Sequence, residues 1–362
     1  MVILWRARVF VGKYMPMALK TIDKTAMILE LFGKSEWNAI LTKIENYDCY
    51  HTYEYHNISK NPEETPLLLV YESPGATVAL PLLLRCIQGT DFFDCTSVYG
   101  YSGPIYSKGT SLKDLHQFQR GLEKYLKKKG IVSVFSRLNP FIEGQDRAID
   151  GLGQIEELGP IVNIDLKQEE AYQRQLFSKT TKRYLNRARR LLYVEKSNLF
   201  EDLETFIALY YENMKRVRAK DIYFFDRDYF SRIVDSKDFK TEVYSARLKD
   251  TDQMVSAIMI FKSKKGVHYH ISGTKSEYLY LSPMRLLIDN VRLSVAGSDL
   301  GFFNLGGGIG SKKDNLFYFK SSFSKDYNKF KVWKYVVDRE KYKLLAGKSG
   351  KTVEGFFPAY RN

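Results

Sequence analysis

Four pieces between His268 and Phe323 decide the fold: HYHISGT at His268–Thr274, LSPMRLL at Leu281–Leu287, FFNLGGGIG at Phe302–Gly310 and NLFYFKSSF at Asn315–Phe323. The first lies in a strand read over Gly266–Gly273. Alternation puts His268, His270 and Ser272 on one face of it and Tyr269 and Ile271 on the other. In the second piece, Ser282 is a suitable N-cap and Pro283 suits a first helical turn. A helix is therefore expected over Ser282–Ala296, with Leu286, Leu287, Val291 and Val295 inward. Leu300–Leu305 reads as a strand running into Gly306–Gly308, where glycine permits positive φ and close approach of backbone to a ligand. The run fits neither the GxGxxG nor the Walker pattern. The last piece sets Lys320 among aromatics, placed to meet a substrate or carrier anion, or to snorkel to solvent.

Working outward, the same grammar recurs. A helix is expected around Ser35–Ile44. Pro66–Tyr71 and Thr77–Arg85 read as a hairpin through Ser73-Pro74-Gly75. Tyr99–Pro104 is a turn-rich aromatic loop. Leu115, Phe118, Leu122 and Leu126 recur at helical spacing before Gly130, and Ile131–Leu138 is again strand-like. Farther on, Leu199–Arg218 reads as an amphipathic helix, and Phe239–Lys249 with Met254–Lys262 as a second hairpin. Strands and helices alternate, so the class is α/β. At 362 residues two domains are expected. The boundary is placed at Asp165–Ala171, giving an N-terminal domain over 17–165, which 326–362 can complete, and a C-terminal domain over 166–325. Residues 1–16 read as an upstream extension.

Fifty-six Lys and Arg against 42 Asp and Glu leave a net charge of +14, which favours an anionic partner: nucleic acid, a phosphorylated carrier or an acidic membrane surface. Three scattered cysteines, Cys49, Cys86 and Cys95, fit reduced thiols in the cytoplasm. No run is long and apolar enough for a spanning helix. Between Arg174 and Arg190 lie seven basic residues, Arg174, Lys179, Lys182, Arg183, Arg187, Arg189 and Arg190, and no acidic one. Leu185, Ala188 and Leu192 keep helical spacing, so the charge is expected on one exposed face, either solvated or contacting phosphates. His268 and His270 suit a metal or a general base by type. No third ligand stands at metal-site spacing, so no metal is expected and packing is the expected role of either.

Taken in order, His268–Thr274, Leu281–Leu287, Phe303–Gly308 and Phe317–Phe323 resemble the FemABX family of peptidoglycan bridge aminoacyltransferases. They equally resemble the related FemAB-like acetyltransferase domains of envelope polysaccharide pathways. The likeness extends upstream to the basic helix at Ser178–Arg190, to Tyr210–Arg218 and to the Tyr99–Pro104 loop. It implies two tandem GNAT-like domains with mixed sheets, and a donor that is aminoacyl-tRNA or acyl-CoA, with no tightly bound cofactor. The implied partner is an anionic substrate or carrier (tRNA, or a nucleotide- or lipid-linked precursor), with peripheral membrane association an option. By the same likeness, Arg216 and Lys320 are the candidate catalytic residues. Phe319, Tyr269, His270 and Tyr101 are the candidate substrate contacts, and Lys182, Arg183, Arg187 and Arg190 the candidate anion contacts. One departure matters. GNAT enzymes hold the pyrophosphate of acetyl-CoA on a glycine-rich turn at a helix N-terminus. Here that place is Tyr280–Arg285, without glycine, which weakens an ordinary CoA mode.

The implied chemistry is attack of an amine on an activated acyl carbonyl. No Ser/His/Asp or Cys/His signature is visible, and no covalent nucleophile is required. Three readings remain open at this stage: aminoacyl transfer to a peptidoglycan precursor, acyl transfer from a thioester to an amino sugar or amino acid, and a non-catalytic module that binds an anionic polymer.

Overall fold

The computed structural model describes residues 27–349 and 356–361. The expected upstream extension and the folded start near Met17 lie outside the described residues. The chain opens with β1 (Leu29–Leu31), α1 (Lys34–Ile44), a tight turn at Cys49–His51 and α2 (Tyr53–Ser59). The expected hairpin is β2 (Glu64–Ser73) with β3 (Ala76–Cys86). Leu67 to Val70 are all buried because both faces of β2 are covered, Leu67 and Leu69 by one cluster and Leu68 and Val70 by another. Then come β4 (Phe93–Thr96), β5 (Ile105–Tyr106), α3 (Leu112–Lys128), β6 (Ile131–Arg137), the short α4 (Gln145–Ala148) and β7 (Gln154–Asp165). The periodic α3 residues Leu115, Phe118, Leu122 and Leu126 all face the core.

The second half holds α5 (Glu170–Gln175), α6 (Lys179–Leu191), β8 (Leu192–Lys196), α7 (Leu199–Arg216), α8 (Arg227–Asp235), β9 (Lys240–Leu248), β10 (Met254–Lys262) and β11 (Gly266–Thr274). It closes with α9 (Pro283–Ser294), β12 (Phe302–Gly306), α10 (Asn315–Lys320), β13 (Asp326–Val336) and α11 (Arg339–Ser349). All the strands join one mixed sheet in the order β1-β2-β3-β4-β6-β13-β7-β12-β11-β10-β9-β8, with β5 on β3. Each half repeats one pattern: an antiparallel hairpin, a third strand, a helix and a strand parallel to the third. Strand β13 returns from the C-terminal region to lie beside β6, and β7 runs on from β13 to β12.

Two local expectations fail for identifiable reasons. Ser282 does not cap α9. Its backbone is left-handed, φ 56°, and its side chain makes no cap bond, whereas capping needs an extended backbone. The alternation along β11 is broken by a bulge. Ile260 pairs with Tyr269 and Met259 with Ile271, so His270 is the extra residue. Beyond it the faces exchange. The Ser272 hydroxyl meets Tyr269 Oη at 2.5 Å, while Ile271 joins the cluster containing Phe261, on which the His270 ring stacks.

The basic helix is also only partly as expected. Thr181, Leu185 and Ala188 are buried, as the spacing requires. Two of the seven basic residues, however, are held by a buried carboxylate while remaining partly exposed. Asp289 on α9, 1% exposed, pairs with Arg292 at 2.7 Å, with Arg189, and with Arg174 at 3.7 Å. A buried carboxylate must be neutralised, and these arginines lock α5, α6 and α9 together. Replacing it by a neutral isostere, Asp289→Asn, should cost about 3 kcal/mol, read as a lower urea midpoint with unchanged slope. Helix α7 is fixed differently: a Cβ at Gly273 would overlap the Leu209 carbonyl and the Tyr210 nitrogen. Gly273→Ala should therefore lift α7 from β11 and cost about 1–3 kcal/mol, seen as a lower thermal midpoint.

Candidate functional site

Strands β11 and β12 are parallel neighbours only at Gly266–His268 and Phe302–Asn304. Beyond that point they part, because β12 ends at the Gly306–Gly307 turn while β11 continues to Thr274 beside β10. Among the described residues, the β12 side of β11 is thereby left without a partner strand from Tyr269 onward, an edge of the kind that offers backbone donors and acceptors to a ligand. Gly306 has φ 78°, which only glycine adopts readily.

Lys320 closes the mouth of this gap. Its Nζ donates to Gly307 O at 2.8 Å and lies 5.6 Å from the centre of the Tyr269 ring. Burial pulls its pKa down to about 8, against a weak opposing pull from Asp314. A methyl group added at Gly306 would sit 3.1 Å from this Nζ and 3.8 Å from Tyr101 Oη. Lys320, Tyr269 and Tyr101 therefore converge on one turn. Burial pushes the Tyr269 phenol up to about 12 and raises that of Tyr101 as well, so both are protonated donors at neutral pH.

Phe319 leads outward from Lys320 to a basic and aromatic surface. The Arg285 guanidinium stands 4.8 Å from the Phe319 ring and 5.1 Å from that of Tyr184, and its Nε reaches Thr181 Oγ1 at 3.4 Å. Arg183 lies over Tyr184, and Arg187 over the exposed Tyr280. Ser178 N donates to Ser322 O at 2.8 Å, so the start of α6 is joined to the end of α10. Among the expected anion contacts, Arg183, Arg187 and Arg190 stay exposed on α6, whereas Lys182 donates to Gln175 O. Arg285 was missed in the sequence; its signal was its position in the segment that replaces the glycine-rich turn.

Arg216 and His270 lie elsewhere. Arg216, exposed at the end of α7, binds Thr274 O at 2.9 Å, Ser276 Oγ and Asn213. Thr274 is five residues along β11 from Tyr269, about 16 Å at strand rise. His270 stacks on Phe261 and meets Tyr229 Oη at 2.8 Å, and burial drives its pKa down to about 3. His268 also parts from it. Asp48, Cys49 and His268 bring their ligand-type atoms within 4.8 Å of one another, all buried, a trio that sequence spacing could not reveal. Asp48 already accepts from Cys49 N, Asn139 Nδ2 and His268, and burial holds the Cys49 thiol well up, in its protonated form. The trio is thus organised by hydrogen bonds. None of the described helices is long and apolar enough to cross a membrane.

The chain is similar to known proteins in one stretch of its sequence and in its fold. A family model described as an acetyltransferase (GNAT) domain matches residues 176–320. FemX superposes with a TM-score of 0.67 at 12% identity, over 87% of this chain and 99% of that one. The C-terminal domain of a putative lysylphosphatidylglycerol synthetase from Agrobacterium fabrum gives 0.53 at 16% identity, over 83% and 92%. A conserved protein of unknown function from Bacteroides thetaiotaomicron gives 0.57 at 9% identity, over 85% and 100%. No curated protein sequence matches. Residues 176–320 thus match a GNAT domain model, and the fold is FemX-like, with two GNAT-like halves in one mixed sheet.

Proposed function

We propose that the protein transfers an aminoacyl group from aminoacyl-tRNA to an amine of an anionic cell-envelope precursor. The observation that carries this reading is the Lys320 ammonium on the Gly306–Gly307 turn, at the mouth of the gap between β11 and β12. The likeness to FemX and to a lysylphosphatidylglycerol synthetase domain supports an envelope substrate. The excess of basic charge suits an anionic acceptor, either nucleotide-linked or at a membrane surface, and we place the reaction in the cytoplasm. We also propose a functional division near Asp165, with 326–362 belonging to the first half.

In this reading the acceptor amine attacks the ester carbonyl. A C–N bond forms, the ester C–O bond breaks, and the ribose hydroxyl of the tRNA leaves with a proton. The carbonyl oxygen becomes negative on the way, and Lys320, mostly protonated below about 8, together with the phenols of Tyr269 and Tyr101 faces that charge. Phe319 and the Arg183–Arg187–Arg285 surface hold the donor's terminal nucleotides, by stacking and phosphate contact. Arg190 and Lys182 extend that surface. Arg216, at the open end of β11, takes an anionic group of the acceptor. His270 supports the strand behind Tyr269. An acyl-CoA donor is the second reading, favoured by the GNAT match. Against it, the left-handed Ser282 and Pro283 leave few amides for a pyrophosphate.

Incubation with charged tRNA or labelled acetyl-CoA, each with a nucleotide-linked muramyl peptide as the amine acceptor and with phosphatidylglycerol vesicles as an acceptor that offers only hydroxyls, separates the readings. Product from tRNA alone is expected. Product only from acetyl-CoA contradicts the donor assignment, and salt-sensitive polyanion binding without turnover favours a binding module. Lys320 is a cation with a lowered pKa, so its contribution is present below about 8 and lost above it. The alkaline limb of the rate profile should therefore vanish in Lys320→Arg, while Lys320→Ala loses about a hundredfold in kcat. A Lys320 acting as base would give the opposite limb. Arg183→Ala with Arg187→Ala should raise KM for tRNA and flatten its salt dependence by about 0.7 per lost contact.

A further inference from the structure

A backbone N–H cannot exchange donor for acceptor, and this fixes the protons along a buried chain of side chains. Gly306 N donates to Asn304 Oδ1 at 2.8 Å. The amide so oriented turns Nδ2 toward His268 Nδ1, 3.1 Å away. An NH2 group only donates, so Nδ1 carries no proton and Nε2 holds it. Nε2 then donates to Asp48 Oδ2 at 2.7 Å. Asp48, His268 and Asn304 are all buried, and Asp48 belongs to the first half of the chain, 220 residues from His268. The far end of the chain is the turn whose next carbonyl, Gly307 O, receives the Lys320 ammonium.

We propose that Asp48, His268 and Asn304 form a positioning relay. The carboxylate from the first half sets the His268 tautomer, and Asn304 passes that polarity to the Gly306–Gly307 turn that carries Lys320. The consequence for turnover rests on the transferase reading; the relay itself does not. Asn304 also hydrogen-bonds the Tyr101 phenol, so the relay acts through the turn and through that phenol.

The polarity of the relay can be reversed and then restored by substitution. In Asp48→Asn, an amide that keeps its oxygen on Cys49 N points its NH2 at both Asn139 Nδ2 and His268 Nε2; Asn139 Nδ2 retains its bond to Tyr101 O, and the His268 proton moves to Nδ1. Asn304 must then turn its oxygen to His268, which sets its NH2 against the Gly306 N–H. Two donors face each other and the turn shifts. Adding Asn304→Asp restores the sense: the Nδ1–H donates to one carboxylate oxygen, and the other accepts from Gly306.

Nitrogen NMR of histidine-labelled protein should find His268, assigned by its loss in His268→Gln, protonated on Nε2 in the parent and on Nδ1 in Asp48→Asn. The Gly306 amide should be protected from exchange in the parent, exposed in Asp48→Asn and protected again in the double variant. The kcat should fall about tenfold or more in Asp48→Asn, with KM changed less than about twofold, and recover in the double variant. Asn304→Ala, which leaves the Asp48–His268 pair intact, should show the same fall if Asp48→Asn does not fold. A parent His268 protonated on Nδ1 overturns the relay. So does a double variant no nearer the parent than the single one, or a Gly306 amide indifferent to both. If the parent turns over neither donor, the transferase reading falls, while tautomer and exchange still decide the relay.

Discussion

The site depends on β7 and β13 lying side by side. Each half of the molecule has a parallel strand pair, and each pair is flanked by a strand remote in sequence: β6 by β13, and β12 by β7. Backbone pairing of β13 with β7 then makes the two halves one sheet. Their cores are held in a fixed relation, and the Asp48 turn and the Tyr101 loop are pressed against His268 and Asn304. The Tyr101 ring lies over His268, and Tyr50 meets the same imidazole edge-on. An enclosed, apolar setting of this kind strengthens each hydrogen bond made within it and penalises any left unmade.

That setting also tunes the lysine. Moving its pKa from 10.5 to about 8 corresponds to roughly 3 kcal/mol of differential cost for the charged form. The cost is carried by the fold, since a carbonyl and the Tyr269 ring are poor substitutes for water. A substrate bearing negative charge, or developing it, recovers part of that cost, which is how a half-buried cation stabilises a transition state more than a solvated one does. The surrounding arginines divide by the same logic. Arg292, Arg189 and Arg174 are consumed by the buried Asp289 and serve structure. Arg183, Arg187 and Arg285 stand on aromatic faces with no carboxylate partner among the described residues, which suits the phosphate contacts proposed for them.

Much of this could be read from local pattern. The β2–β3 hairpin, the inward face of α3, the end of β12 in a glycine turn and the position of Lys320 all follow from periodicity and residue type. What escaped the sequence is of two kinds. Long-range partners are invisible to spacing, so Asp48, a cap residue of an ordinary turn, gave no sign of His268. The pairing of Arg174 and Arg189 with Asp289 was hidden for the same reason, because Asp289 stands on another helix. Small backbone irregularities are the second kind. One extra residue at His270 exchanged the faces of β11, and a left-handed Ser282 removed a cap that its side chain suggested. Both lie at the edges of the candidate site, where regular pairing gives way to an opening.

The most direct test of the account is a crystal structure with a non-hydrolysable aminoacyl-adenosine, in which an amide replaces the ester. The account predicts that its carbonyl enters the gap between β11 and β12 with the oxygen facing Lys320 and Tyr269, and that its adenosine lies toward Phe319 and Arg285. Density for the analogue on the far side of β11, beside His270 and Tyr229, with the Lys320 contact to Gly307 undisturbed, would contradict it.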